Sequence, residues 1–412
     1  MSFVMQEKII SRPLYLKQIS EFVDKPEIKI ITGLRRSGKT ELLKMLMHEA
    51  IAKTDTDHII YINFEDMEFE DIVSSKELNQ YFKERICDDE RYYIFLDEIQ
   101  LVNDWEKSVN ALRLKNTDIY ITGSNSKIMS EELATLLGGR TVSFRINTLS
   151  FREFIEFRKE SGLGTNDLDK ELEAYIDIGG FPRLSVINYS HNAIKEVVKE
   201  INATALLKDV VVRHKLKMPQ LMDKIVAFLY DNVGNLVSIR AIVNYLKSSG
   251  RGTDPETVAN YIKYLEDAFI IKCAPRYDIK GKRLLDTNDK FYLGDHSLQY
   301  AVRNKRADKI QGVLENIVFM ELARRGYNVY VGKAGDKEVD FVAETNDGLS
   351  RIYVQVCLEF TSPATYAREF SPLKEIKDSY HKYVVTLDKN YQANENGVMG
   401  IHVKDFLLKE DL

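Results

Sequence analysis

The chain predicts an α/β protein: a parallel-sheet core, then a helical segment, a winged helix-turn-helix, and a second α/β unit at the C-terminus. Three observations predict it. Between residues 1 and 150, short uninterrupted apolar runs (IKIITG, HIIYINF, YYIFLDE, IYITGS) alternate with amphipathic stretches, as expected of parallel strands buried on both faces between helices. Strand signals then stop from 151 to 218. After Pro219 three helix patterns precede two β-like stretches, and the last hundred residues alternate strands with two helices.

Each element has a local reason. Ser74 with Glu77, and Ser150 with Glu153, read as capping boxes opening ELNQYFKERI and FREFIEFRKE. LDKELEAYIDI stops at Gly179-Gly180, and AIKEVVKEINATALLKDVVV follows as a further helix. Ser238 caps IRAIVNYLK, and Asp254-Pro255-Glu256 opens TVANYIKYLEDAFI. IKCAPRYD and KFYLGD then read as a hairpin around Gly281, and ENIVFMELARRG begins the final segment. The implied boundaries are 1–150, 151–218, 219–300 and 301–412.

With 44% hydrophobic and 29% charged residues, 8 Pro and 21 Gly among 412 residues, the composition is that of a globular protein and excludes collagen-like, disordered and disulfide-scaffold classes. Cys87, Cys273 and Cys357 lie far apart, suggesting neither a zinc site nor a disulfide framework; buried thiols in a reducing cytoplasm fit. No secretory leader or run approaching 18 apolar residues is seen, so no membrane span is expected. The net charge of −5 argues against a surface that coats nucleic acid, yet Lys208 to Lys309 holds 19 basic against 12 acidic residues. That window is either a phosphate-facing surface or an ordinary solvated one.

Gly33-Leu34-Arg35-Arg36-Ser37-Gly38-Lys39-Thr40 matches G-x-x-x-x-G-K-[ST] between a strand and a helix pattern. In that context backbone N–H groups from Gly33 through Gly38, with Arg35, Arg36 and Ser37, cradle ATP phosphates; Lys39 reaches the β/γ oxygens and Thr40 offers its hydroxyl to Mg²⁺. In YYIFLDEIQ, Asp97 and Glu98 emerge from the carboxyl end of a buried strand. Asp97 is placed to hold Mg²⁺ through its water shell and Glu98 to polarise the attacking water; alone, the pair has the alternative of capping the next helix. Asn125, with Ser124 or Thr122 behind it, ends the next strand, in reach of the γ-phosphate or the water. Arg140 after Gly138-Gly139 reads either as an arginine finger for a neighbouring subunit or as a basic C-cap of the helix EELATLL.

The order GLRRSGKT, LDEIQLVNDWEKSVNALR, ITGSNSKIMSEELATLLGGR, LSFREFIEF, GGFPRL resembles the prokaryotic AAA-type P-loop ATPases that carry a C-terminal domain of unknown function related to restriction endonucleases. The resemblance covers nearly the whole chain. It implies that Lys39 and Thr40 belong to Walker A, Asp97 and Glu98 to Walker B, Asn125 to the sensor position, and Arg140 to the finger of the adjacent subunit, in a homo-oligomeric ring of six. Trp105 belongs to the motif after Walker B and reads as a packing residue. Arg183 after the Gly-Gly-Phe-Pro turn is a candidate to approach the phosphates.

Within the winged helix, Thr257 to Phe269 takes the recognition-helix position, with Asn260 and Lys263 facing a groove and Arg276, Lys280, Lys282 and Arg283 on the wing. Two polar residues are few for reading bases, so backbone-directed DNA binding is expected; a protein-interaction module is the alternative. In the tail, Glu315 and Asp340 match the helix Glu and strand Asp of the nuclease-like superfamily, but Gln355 stands where its second carboxylate belongs and Cys357 where its lysine belongs. The tail is therefore expected to be degenerate, with Lys333 and Lys337 as candidate replacements for the missing ammonium. The function expected is an Mg²⁺-dependent ATPase acting as an oligomeric motor or remodeller on DNA; the alternative is a nucleotide-dependent switch or scaffold acting on a protein.

Overall fold

The computed structural model describes residues 9–129, 135–250, 252–302, 310–391 and 394–412. It divides into two compact units, Met1–Thr148 with Asp267–Phe269, and Leu149–Glu266 with Ile270–Leu412.

The first unit is built on five strands: β1 (Ile28–Thr32), β2 (Ile59–Asn63), β3 (Tyr92–Asp97), β4 (Thr117–Gly123) and β5 (Thr141–Arg145). All pair in parallel, in the order β2-β3-β4-β1-β5. The apolar runs become strands because both faces are covered: Ile30, Leu96 and Ile121 enter one core and their neighbours Ile31, Phe95 and Tyr120 the other. The helices are α1 (Pro13–Ser20), α2 (Lys39–Ile51), α3 (Ser75–Arg85) and α4 (Trp105–Leu112). Trp105 is buried in the same core as Ile30. Residues 131–134 of the expected EELATLL helix lie outside the described residues.

The second unit begins with α5 (Phe151–Glu160), α6 (Leu168–Ile178), α7 (Pro182–Val186) and α8 (His191–Thr204), the last continuing as a π-helix over Ala205–Val212. The Ser150 capping box forms in both directions, Glu153 N–H donating to Ser150 Oγ and Ser150 N–H to the Glu153 carboxylate. The Gly179-Gly180 stop also has a tertiary cause. A Cβ on Gly179, whose φ is +86°, would lie 2.5 Å from the Asp295 carboxylate, while Gly180 N–H donates to Asp295 Oδ2 at 2.9 Å.

Next come α9 (Pro219–Asp231), β6 (Leu236–Val237), α10 (Ile239–Ser248), α11 (Pro255–Asp267), β7 (Ile271–Asp278) and β8 (Arg283–Leu293). Ser238 Oγ accepts from Ala241 N–H, and Asp254 from Thr257 N–H. The rest comprises α12 (Gln299–Val302), α13 (Ile310–Arg324), β9 (Asn328–Ala334), β10 (Lys337–Glu344), β11 (Arg351–Cys357), α14 (Pro363–Glu375), β12 (His381–Thr386), β13 (Met399–His402) and α15 (Val403–Leu408).

Eight strands form one sheet, β13-β12-β11-β10-β9-β7-β8-β6. β7 pairs in parallel with β9 through Arg276, Tyr277 and Asp278, so backbone pairing joins the hairpin to the C-terminal strands across residue 300. Asp340 lies within β10 rather than opening it, at a register shift between Val339 and Val342; such an irregularity re-aims side chains. The three thiols are not uniformly buried: Cys357 is, Cys273 is partly covered, and Cys87, at the end of α3 where the chain turns toward β3, is exposed. Among the described residues no helix is long and apolar enough to cross a membrane.

Candidate functional site

The first site forms where β1, β4 and β3 end side by side. Register pairs Thr32 with Gly123 and Ile121 with Leu96, so the segments after these strands emerge together at the carboxyl edge of the sheet. After β1 the chain turns through Gly33 to Gly38. A Cβ at Gly33 would sit 2.1 Å from the Ile146 carbonyl oxygen, and Gly38 has φ +98° as it starts α2. Both requirements favour glycine. The first helical bond runs from Leu42 N–H to Gly38 O, so the N–H groups of Lys39, Thr40 and Glu41 precede the helical ladder, at the positive end of a 13-residue helix.

Lys39 is buried, its Nζ donating to the carbonyls of Gly33 at 3.1 Å and Leu34 at 3.3 Å. The ammonium thus sits within the turn. Ser37 Oγ is buried with no hydrogen-bond partner among the described residues. Thr40 is half-buried and Arg36 exposed; Arg35 pairs with Glu65 at 3.2 Å. An inward-winding turn, a helix N-terminus, a buried ammonium and an unpartnered hydroxyl together suit a polyphosphate.

Asp97 is 1% exposed at the end of β3, and Thr122 Oγ1 donates to its carboxylate. The same hydroxyl accepts from Glu98 N–H at 3.0 Å. Glu98 adopts left-handed backbone angles, φ 55° and ψ 42°, a conformation costing about 1–3 kcal/mol in a non-glycine residue and common where a side chain must be aimed. Gln100 Nε2 donates to the Glu98 carboxylate. Asn125 is buried just beyond β4, between the β1 and β3 ends. Burial, together with the Asp97 charge, pushes the Tyr61 hydroxyl well above its usual pKa.

Arg140 is exposed and elsewhere. Its carbonyl accepts from Ile28 N–H at 3.0 Å, and Thr141 pairs with Ile28. It therefore lies at the amino end of β1, six strand steps or about 20 Å from Gly33 at roughly 3.3 Å per strand residue. Lys39, Thr40, Asp97, Glu98 and Asn125 come together; Arg140 does not join them within its own chain.

The family described as "AAA domain" matches residues 25–155, and a "Domain of unknown function (DUF8612)" matches 169–309. A Haemophilus influenzae protein described only as uncharacterized is 39% identical over 98% of this chain and 100% of its own length. Another from Methanocaldococcus jannaschii is 33% identical over 97% of this chain and 88% of its own. The chain belongs to the AAA-type P-loop ATPases. A solved Walker-type ATPase of Pyrococcus abyssi shares its fold at a TM-score of 0.50 and 16% identity, over 70% of this chain and 93% of that one.

In this AAA-type ATPase the motifs leave one buried cation near the turn unmentioned. Arg12, 2% exposed, donates to Ser37 O at 3.0 Å and Asn147 O at 3.1 Å and lies 4.5 Å from the Tyr15 ring centre. Its only sequence signal is a basic residue before Pro13, which resembles any helix start.

In the second unit Asn260, Lys263, Lys280, Lys282 and Arg283 are exposed and Arg276 is half-buried. Arg183 is exposed on α7. Glu315, Asp340, Gln355 and Cys357 line a cavity of about 1120 Å³. The cation beside the carboxylates is Lys290 of β8, not Lys333 or Lys337. Lys337 bonds Glu375 at 2.6 Å and Ser371 at 3.1 Å, and Lys333 contributes its carbonyl to Ile279 N–H. Gln355 is committed on both sides, accepting from Asp340 N–H at 3.2 Å and donating to Glu369 at 2.9 Å. Burial pushes the Cys357 thiol up to about 12. Burial and the Asp340 charge also raise Glu315 above the usual carboxylate range. Among the described residues, no group of three or more His, Cys, Asp or Glu side chains is spaced to hold a metal ion.

Proposed function

We propose that this chain is an Mg²⁺-dependent ATP hydrolase acting in the cytoplasm as a homo-oligomeric ring of six that remodels DNA. The observation carrying the proposal is the convergence of Lys39, Thr40, Asp97, Glu98 and Asn125 at one edge of the sheet, with Arg140 exposed at the other. Lys39 exchanges its loop carbonyls for β/γ-phosphate oxygens. Thr40 and Asp97 are the residues that would hold Mg²⁺, which when bound neutralises charge on those oxygens. Glu98 takes the proton of the attacking water while Asn125 orients it against the γ-phosphate. Arg140, too far to serve its own turn, stabilises transition-state charge on a neighbour's nucleotide, a contribution of roughly 10³–10⁵ in rate.

The DNA reading rests on the exposed Lys263, Lys280, Lys282 and Arg283. Contacts are mainly to phosphates, with Asn260 and Arg276 adding little base discrimination. A second reading, a switch or scaffold acting on a protein, is favoured by the β7–β9 pairing, which ties the end of β7 beside the hairpin turn into a larger sheet instead of leaving a free wing. ATP turnover with and without single-stranded, duplex and branched DNA, at two salt concentrations, separates them. Stimulation by DNA that fades with salt supports the first; turnover indifferent to every DNA supports the second.

The cavity at Glu315 and Asp340 is proposed not to cut DNA. Gln355 brings an amide where a second carboxylate is needed, and Cys357 stays a neutral thiol. Linear, supercoiled and branched DNA should survive incubation in Mg²⁺ or Mn²⁺. Cutting abolished by Asp340→Ala would overturn this.

A further inference from the structure

The main chain of Glu98 is held firmly: its N–H donates to Thr122 Oγ1 at 3.0 Å, and the turn that follows is anchored in the core by Ile99 and Val102. Its carboxylate is tethered once. Among the described residues the single hydrogen-bond partner of that carboxylate is Gln100 Nε2. An ionised carboxylate only accepts, so the nitrogen of the Gln100 amide faces Glu98 and the oxygen faces away. That oxygen is buried and has no hydrogen-bond partner among the described residues. It lies against Gly123, the last residue of β4, where a Cβ would sit 2.7 Å from Gln100 Oε1 and 2.6 Å from Ile128 Cδ1. Gly123 has no positive φ, so the glycine supplies space for the amide rather than backbone freedom.

A buried acceptor left without a donor costs about 1–3 kcal/mol. The fold bears that cost in a side chain whose other end holds Glu98. We propose that Gln100 is a positioning residue for ATP hydrolysis: its amide, seated over Gly123, sets where the Glu98 carboxylate points and hence where the attacking water is held. Gln100 acts through Glu98 and leaves nucleotide binding to Lys39 and the Gly33–Gly38 turn. The proposal rests on the reading of Glu98 as the base. With its one tether gone the carboxylate turns about its own torsions, and a displacement of about 1 Å costs on the order of 10² in rate.

The test is single-turnover and steady-state ATP hydrolysis by the full chain, with ATP affinity measured in parallel. The variants are Gln100→Leu, Gln100→Glu, Gly123→Ala, Glu98→Gln, and Glu98→Gln combined with Gln100→Leu. Gln100→Leu should keep KM and ATP affinity within about twofold of native while kcat falls roughly tenfold to a hundredfold. Gln100→Glu, which preserves shape but sets a like charge beside Glu98, should do the same and serves if the leucine variant does not fold. Gly123→Ala should lower kcat in the same way by displacing the amide. In the Glu98→Gln background the leucine substitution should change the residual rate by less than about twofold, because the group it acts through is already gone. An equal fold-loss in both backgrounds would show a general structural role and overturn the proposal. So would a loss carried by KM or ATP affinity, or native kcat in both Gln100 variants beside a stalled Glu98→Gln. Native turnover in Glu98→Gln itself would instead remove the base role, and this proposal with it.

Discussion

Replacing Arg12 by alanine should loosen the phosphate-binding turn without touching any motif residue. The guanidinium donates charge-assisted bonds to Ser37 O inside the turn and to Asn147 O beyond β5, and lies against Tyr15, whose hydroxyl in turn accepts from Asn147 N–H at 3.1 Å. Bonds involving a charged group contribute about 1.5–3 kcal/mol each and a cation over an aromatic ring about 0.5–2 kcal/mol. With partial replacement by water, the expected loss is about 3–5 kcal/mol. The assay is provided by the chain itself: its single tryptophan, Trp105, is buried in the first unit's core, so tryptophan fluorescence during urea unfolding reports on that unit. At an m-value of roughly 1.5–3 kcal/mol per molar, the midpoint should fall by about 1–3 M. ATP affinity should fall about tenfold, roughly 1.4 kcal/mol, as the turn loses the tether at Ser37. Arg12→Lys should be intermediate, because one ammonium does not reproduce the guanidinium fork. If Arg12→Ala leaves both the midpoint and ATP affinity unchanged, the bracing role is refuted.

Three further outcomes are expected. Lys39→Ala should lose ATP binding by at least tenfold, whereas Glu98→Gln should bind ATP and stall, since only the second keeps the phosphate cradle; equal affinity of native and Lys39→Ala protein in a direct nucleotide titration would contradict this. Arg140→Ala should abolish most turnover, and mixing it with Lys39→Ala chains should restore part of it in mixed rings; no recovery despite demonstrated co-assembly would rule out action across a subunit boundary. DNA affinity, read by anisotropy, should drop steeply between 50 and 200 mM salt, on the order of tenfold or more, and vary little with sequence; strong preference for one short site would point to base reading that the exposed set does not supply.

What the sequence determined by itself is whatever neighbouring residues dictate. The G-x-x-x-x-G-K-T turn sits between a strand and a helix because glycines at 33 and 38 permit conformations other residues resist. The Ser150–Glu153 box formed as read because both of its bonds span three residues. The apolar runs of the first unit became parallel strands because short runs rich in β-branched and aromatic residues suit a sheet covered by helices on both faces. The tertiary structure decided which of these local pieces meet. Strand order placed β4 between β1 and β3, bringing Thr122 onto Asp97 across 25 residues of sequence, and parallel pairing of β5 with β1 put Arg140 at the far end from Gly33. Arg12 reached Ser37, and Lys290 reached Glu315 and Asp340, only through folding. In sequence an arginine before a proline and a lysine on a hairpin strand look solvated, because a charged side chain's partner is set by geometry between elements, and no periodicity along the chain encodes that.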